Sequence, residues 1–99
     1  MKVEFLSIAE LEFANAVEYY NEQSEGLGYK FAAEVKRTLE RIVQFPEAWA
    51  SLSKRARRCR TNRFPYGLIY QRRSDKILIV SIMHLHRDPD TWRARINDL

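Results

Sequence analysis

The chain has 99 residues, 45% hydrophobic, 12% aromatic and 30% charged, enough for one core in one domain spanning residues 1–99. Three Gly and three Pro argue against a disordered region, and the single cysteine, Cys59, excludes an internal disulfide and fits a reducing compartment. No signal-peptide pattern follows Met1, and the longest apolar run, Ile77 to Leu85, is too short for a bilayer and is broken by Ser81 and His84, so a cytoplasmic protein without a membrane partner is expected.

Lys2 to Leu6 alternates, with Val3 and Phe5 against Lys2 and Glu4, and predicts a short strand. Ser7-Ile8-Ala9-Glu10 fits a capping box that starts a helix at Ser7, with Leu6 and Leu11 placed as a hydrophobic staple. Phe13, Ala14, Val17 and Tyr20 form the apolar stripe of that helix, and its acids are expected to face solvent. Ser24-Glu25-Gly26-Leu27-Gly28 breaks it. A second helix is predicted from about Tyr29 to Phe45, with Ala32, Val35, Leu39, Ile42 and Val43 as its stripe, Phe31 flanking and Pro46 as its stop. A short connection between two striped helices implies an antiparallel hairpin lying on a sheet.

Pro46 to Ser53 reads as a loop anchored on the core by Trp49 and Leu52. The sheet follows. Arg57 to Phe64 is a strand with one wet face, Cys59 and Thr61 sharing a side with Arg57 and Arg63, and Arg58, Arg60 and Asn62 the other. Leu68 to Arg72 and Ile77 to Leu85 are apolar strands joined by a turn at Ser74-Asp75. Ile77-Leu78-Ile79-Val80 has no polar side, which places its strand centrally, covered on both faces. Asp88 before Pro89 reads as the N-cap of a short helix carrying Thr91 to Ile96. The expected fold is α+β: an N-terminal strand, an antiparallel helical hairpin, then a three-stranded antiparallel meander completing one sheet (β-α-α-β-β-β), with an optional C-terminal helix.

Charge is divided along the chain. Residues 1–47 carry five basic and nine acidic groups, and residues 48–99 carry twelve basic and four acidic ones. Lys54 to Arg73 contains no carboxylate, and its flanking acids are Glu47 and Asp75. Such a half points to an anionic partner, nucleic acid or an acidic protein segment, the alternative being a solvated surface of biased sign. Arg predominates over Lys there, which favours bidentate and stacked contacts over plain solubility. Arg57, Arg58, Arg60, Arg63, Arg87, Arg93 and Arg95, interleaved with Tyr66, Tyr70 and Trp92, are therefore the candidate binding residues.

Catalytic and cofactor signatures are few. Gly26-Leu27-Gly28 follows a helix and lacks the third glycine of a dinucleotide loop, and no phosphate loop is present. His84 and His86 stand two apart on a strand, yet no cysteine or carboxylate cluster completes a metal site, so no metal and no cofactor is expected. His84 reads better as a buried, satisfied histidine. Cys59 has cationic neighbours that would lower a thiol pKa, but no base beside it, and reads as a small strand residue.

Four features together resemble the ParE/RelE toxins of bacterial type II toxin–antitoxin (plasmid stabilisation) pairs, the ParE side above all. They are the basic strand Arg57 to Arg63, Phe64-Pro65-Tyr66 followed by Leu68-Ile69-Tyr70, the apolar strand ending at His84, and His84-Leu85-His86-Arg87-Asp88-Pro89 followed by Trp92 and Arg95. The resemblance implies a small sheet under two helices and a cognate antitoxin whose carboxy-terminal segment wraps and neutralises the toxin. A homodimer or a toxin–antitoxin hetero-oligomer is the implied assembly. ParE-like members poison DNA gyrase; RelE-like members cut messenger RNA on the ribosome; a third possibility is an inactive member that only binds antitoxin. For the ribonuclease alternative the resemblance implies Lys54, Arg60, Arg87 and His84 as the catalytic set. Where RelE-like toxins carry a terminal Tyr or His, this chain has Trp92, which cannot transfer a proton as they do. The implied role is therefore gyrase binding without catalysis, with His84, Asp88 and Pro89 fixing the terminal segment.

Overall fold

A run of aliphatic residues with no polar side has to be covered on both faces; Ile77 to Val80 is such a run, and burial continues through Ser81 to Met83. In the computed structural model, which describes residues 1–87 and 90–99, this run forms strand β5 (Lys76–His84). The order along the chain is β1 (Lys2–Phe5), α1 (Ser7–Gln23), α2 (Leu27–Gln44), β2 (Ala50–Ser53), β3 (Ala56–Arg60), β4 (Tyr66–Arg73), β5 and α3 (Thr91–Asn97). The strands form one sheet in the order β1-β5-β4-β3-β2. Strands β2 to β5 are an antiparallel meander, and β1 pairs parallel to β5, Val3 opposite Ile77 and Phe5 opposite Ile79. The α+β architecture is the expected one, extended by one edge strand and with the C-terminal helix present.

The helical hairpin covers one face. Phe31, Val35 and Ile42 of α2 and Ala9 and Ala16 of α1 pack on Cys59, Leu68, Tyr70, Ile77, Ile79 and Ile82. Phe31 is the centre of this layer and not a flank, stacking near Phe13, Tyr20, Phe64 and Tyr66. On the opposite face Trp92 and Ile96 of α3 cover Ile69, Leu78, Val80 and Met83. Leu6, between β1 and α1, touches both layers.

The hairpin depends on a close approach. Gly26 takes φ 80 and starts α2. Gly28 lies against α1, its N–H donating to Asn21 Oδ1 at 2.7 Å, and a Cβ there would collide with the Val17 carbonyl oxygen.

Several local expectations change. Leu6 and not Ser7 holds the N-cap position of α1, no side chain caps it, and Leu11 is 54% exposed, so neither capping box nor staple forms. The sheet accounts for this: the Leu6 N–H is already used by the Ile79 carbonyl, and the Leu6 carbonyl accepts from Ala9 and Glu10. Ala14 is exposed while Ala9 and Ala16 are buried, which turns the stripe and brings Glu12 toward the sheet. Helix α2 begins at Leu27, two residues early. The expected loop before Ser53 contains β2, a short strand without β-branched or aromatic residues, held by its register on β3 and bulged between Ser51 and Ser53. Strand β3 stops at Arg60, because the Thr61 hydroxyl turns to the carbonyls of Phe64 (2.9 Å) and Tyr66 (3.1 Å). Asp90 is the N-cap of α3, and the expectation for Asp88 and Pro89 lies outside the described residues. Among the described residues no helix is long and apolar enough to cross a membrane.

Strand β1 ends opposite Ile79, so the rest of that β5 edge needs other partners. Glu12 Oε1 accepts from the Ile82 N–H (3.1 Å) and the Ser81 hydroxyl (3.1 Å), and Arg95 Nη1 donates to the Val80 carbonyl (3.0 Å). The same two side chains form a bidentate pair at 2.8 and 3.0 Å, joining α1 to α3 across the sheet edge.

Glu12→Ala should cost about 2–3 kcal/mol in urea unfolding, because it strands an edge N–H and leaves Arg95 without its counter-ion. Gly28→Ala should be similarly destabilising, by about 2 kcal/mol or more, since the opposing atom is backbone.

Candidate functional site

Strand register divides the basic half into separate surfaces. At one end of the sheet the β2–β3 and β4–β5 turns lie together, since Ala56 pairs with Ser53 and Arg73 with Lys76. A cleft of about 780 Å³ opens there, lined by Lys54, Arg55, Arg57, Arg72 and Arg73 around one acid, Glu47. Arg57 Nη2 and Arg72 Nη1 converge on the Glu47 carboxylate at 3.2 and 2.7 Å. The Arg72 hydrogen bond, reinforced by the Arg57 charge, holds the Glu47 carboxyl below the usual carboxylate range. Arg57 also donates to the Trp49 carbonyl at 2.8 Å, tying the strand to the loop after α2.

Tyr70 forms the floor of this cleft and is 0% exposed. Its hydroxyl donates to the Pro46 carbonyl at 2.6 Å, and burial pushes its pKa from 10.0 to about 12. It is an anchor for the loop and not a contact residue.

The second surface is the outer edge of β3. Strand β2 begins with Ala50 opposite Arg58, so Cys59 and Arg60, paired with β4 on one side, have no strand on the other. Arg41 fills part of the gap, donating to the Arg60 carbonyl at 3.1 Å. With Trp49, Arg58, Arg60 and Asn62 it borders a groove of about 330 Å³. The Arg58 stem crosses Gly67, and its Nε is buried with no hydrogen-bond partner among the described residues. Cys59 is buried in the hairpin-facing layer, and that burial raises its thiol pKa against the pull of Arg41. The lowering expected from its cationic neighbours is thus reversed, because the flanking Arg58 and Arg60 project from the other face.

The third surface is the opposite end of the sheet. Tyr66 pairs with His84, their rings 5.3 Å apart, and the Leu85 N–H donates to the Pro65 carbonyl at 2.9 Å. Arg87 Nη2 reaches the Tyr66 hydroxyl at 3.4 Å and lies over the Tyr19 ring at 5.9 Å. The Phe64-Pro65-Tyr66 corner and the turn after His84, far apart in sequence, therefore meet. Glu12, Asn15 and Tyr19 of α1 close a hollow of about 240 Å³ over them. At the corner Arg63 takes φ 73, the left-handed region, and its guanidinium is exposed.

The candidate binding residues separate accordingly. Arg60, Arg63, Arg87 and Arg93 are exposed, and Arg57 and Arg58 are half-buried. Tyr66, Tyr70 and Trp92 are buried, and Arg95 is committed to Glu12 and the β5 edge, so packing and ion pairing take these four out of a surface role. Arg93 stacks over Trp92 at 4.6 Å. The ribonuclease set is also divided. Lys54 lies in the β2–β3 turn, and His84 and Arg87 lie at the far end of β4, roughly 20 Å away along an eight-residue strand. Arg60 projects from the face opposite His84. Arg41 and Glu47 were not expected. Glu47, the acid at the edge of a carboxylate-free run, carried a signal; Arg41 on α2 carried none.

At pH above 10 the unfolded chain loses the Tyr70 proton while the folded chain keeps it, so stability falls as pH rises from about 10 to 12. The loss should be about 2–3 kcal/mol. Tyr70→Phe should remove it at a cost of about 1 kcal/mol at pH 7, read by urea unfolding across pH.

A family model described as the ParE toxin of the type II toxin-antitoxin system, parDE, matches residues 3–89. Among solved structures, the chain is similar to one from the chromosomal ParDE TA system from P. aeruginosa. Identity is 13%, the TM-score 0.67, and the match covers 85% of this chain and 95% of that one; at that identity the likeness concerns the fold. No curated protein sequence matches.

Proposed function

Because the chain belongs to the ParE toxin family of type II toxin–antitoxin systems, we propose that it is a cytoplasmic toxin that inhibits DNA gyrase by binding it, without bond-making chemistry of its own. The observation that carries this choice over messenger RNA cleavage is the scatter of Lys54, Arg60, His84 and Arg87 over two ends and two faces of the sheet. Cleaving an RNA phosphodiester needs a base for the 2′-OH, a cation for the phosphorane and an acid for the leaving oxygen within reach of one phosphate. Here His84 and Arg87 share a hollow, but Lys54 and Arg60 do not approach it. The exposed Arg63, Arg87 and Arg93 are the gyrase contacts in this reading.

The neutralising antitoxin segment binds the open edge of β3. An extended strand there completes the pairing that β2 leaves at Cys59 and Arg60, and its acids meet Arg41, Arg58 and Arg60. The toxin–antitoxin hetero-oligomer follows from that addition.

Purified protein should abolish supercoiling of relaxed plasmid by gyrase, and preincubation with the antitoxin should restore it. Normal supercoiling at saturating protein, or codon-phased cuts in translated messages after expression, would overturn the reading. Arg60→Glu should weaken antitoxin binding about tenfold, measured by calorimetry, with supercoiling inhibition retained.

A further inference from the structure

The cleft between the β2–β3 and β4–β5 turns is not used by either interaction above. Its cations outnumber its acids by five to one. Arg57 and Arg72 are both spent on Glu47. Among the described residues Lys54 and Arg73 have no carboxylate within ion-pair distance, Arg73 donating to Gln71, while Arg55 is held at 3.1 Å by the main-chain oxygen of Leu99, a contact a phosphate can replace. Two guanidiniums gripping one carboxylate show that the cleft is shaped to hold an oxyanion. The one it holds belongs to a side chain that is 59% exposed on a surface loop, open to competition from outside.

We propose that this cleft binds the phosphate backbone of duplex DNA, with Glu47 as a resident anion that restrains the affinity. Three features select that partner. The lining offers Arg, Lys and the hydroxyl-bearing Ser51, Ser53 and Ser74, the groups that contact phosphate and sugar in backbone recognition. It has no exposed aromatic, since Tyr70 is buried beneath it, so it lacks the stacking platform on which single strands are held. It also lacks the apolar anchor that gives a peptide segment its binding energy. What remains is a dense cationic surface matched to the closely spaced charges of a duplex, read without regard to sequence. The proposal does not depend on the gyrase reading, and the protein and DNA alone test it.

The experiment is fluorescence anisotropy of a labelled duplex of random sequence, titrated with the protein between 50 and 200 mM salt. Lys54, Arg55 and Arg73 on three phosphates predict about a fortyfold loss of affinity across that range. Glu47→Gln frees Arg57 and Arg72, so it should tighten binding and steepen the loss to about 500-fold. The double variant Lys54→Ala/Arg73→Ala should flatten the salt dependence by about two phosphates' worth, and Lys36→Ala on the far helix should change nothing. Lys54→Ala alone, at an exposed turn, guards against a folding defect in the double variant. The proposal is overturned by no binding at 50 mM salt, or by Glu47→Gln binding more weakly. It is equally overturned by a single strand or an acidic peptide of equal charge that binds more tightly than the duplex.

Discussion

The unpaired half of one strand edge sets most of this architecture. Strand β5 has β4 along one side, but β1 runs out opposite Ile79 and leaves buried backbone groups that have to be satisfied. Glu12 and Arg95 do this together, and doing so obliges α1 and α3 to lie on opposite faces at the same edge. With α3 so placed, Trp92 and Ile96 close the second core. Beyond β5, Arg87 meets Tyr66 of the Phe64-Pro65-Tyr66 corner. One acid–base pair thus carries backbone satisfaction, helix placement and the joining of two distant segments.

The larger elements were legible in the sequence because each is written in a strong period or run. The uniformly apolar Ile77 to Val80 demanded a covered strand, the α2 stripe demanded a sheet beneath it, and Pro46 marked its end. What was not legible depends on pairing across the chain. Strand β2 has no intrinsic preference for extension and exists because β3 offers it hydrogen bonds. The capping box failed because the Ser7 signal is local, whereas the Leu6 N–H is claimed by a residue more than seventy positions away. Glu12 looked like a solvated helix acid until the buried alanines at positions 9 and 16 fixed which face turns inward.

The binding residues were legible as a class and not as a site. Composition locates cations in the second half, but only the fold tells that Arg57 and Arg72 share Glu47, that Arg58 and Arg60 line an open edge, and that Arg95 is interior. The aromatics between them illustrate the same limit. Tyr66, Tyr70 and Trp92 lie among the arginines of the second half in the sequence, and in the fold they are buried packing and not surface.

The parallel pairing of β1 with β5 also governs when the protein can exist. Residues 2–5 wait for residues 76–79, and the edge they leave is sealed by a residue at position 95. A chain emerging from the ribosome can form the α1–α2 hairpin early, but that hairpin has nothing to cover until the last strand has been made. Contacts of such long sequence separation are slow to close and bring no stability until residues 76–95 are available. Folding is therefore deferred until residue 95 has been made, and shorter nascent chains carry the basic segment without the sheet that arranges it.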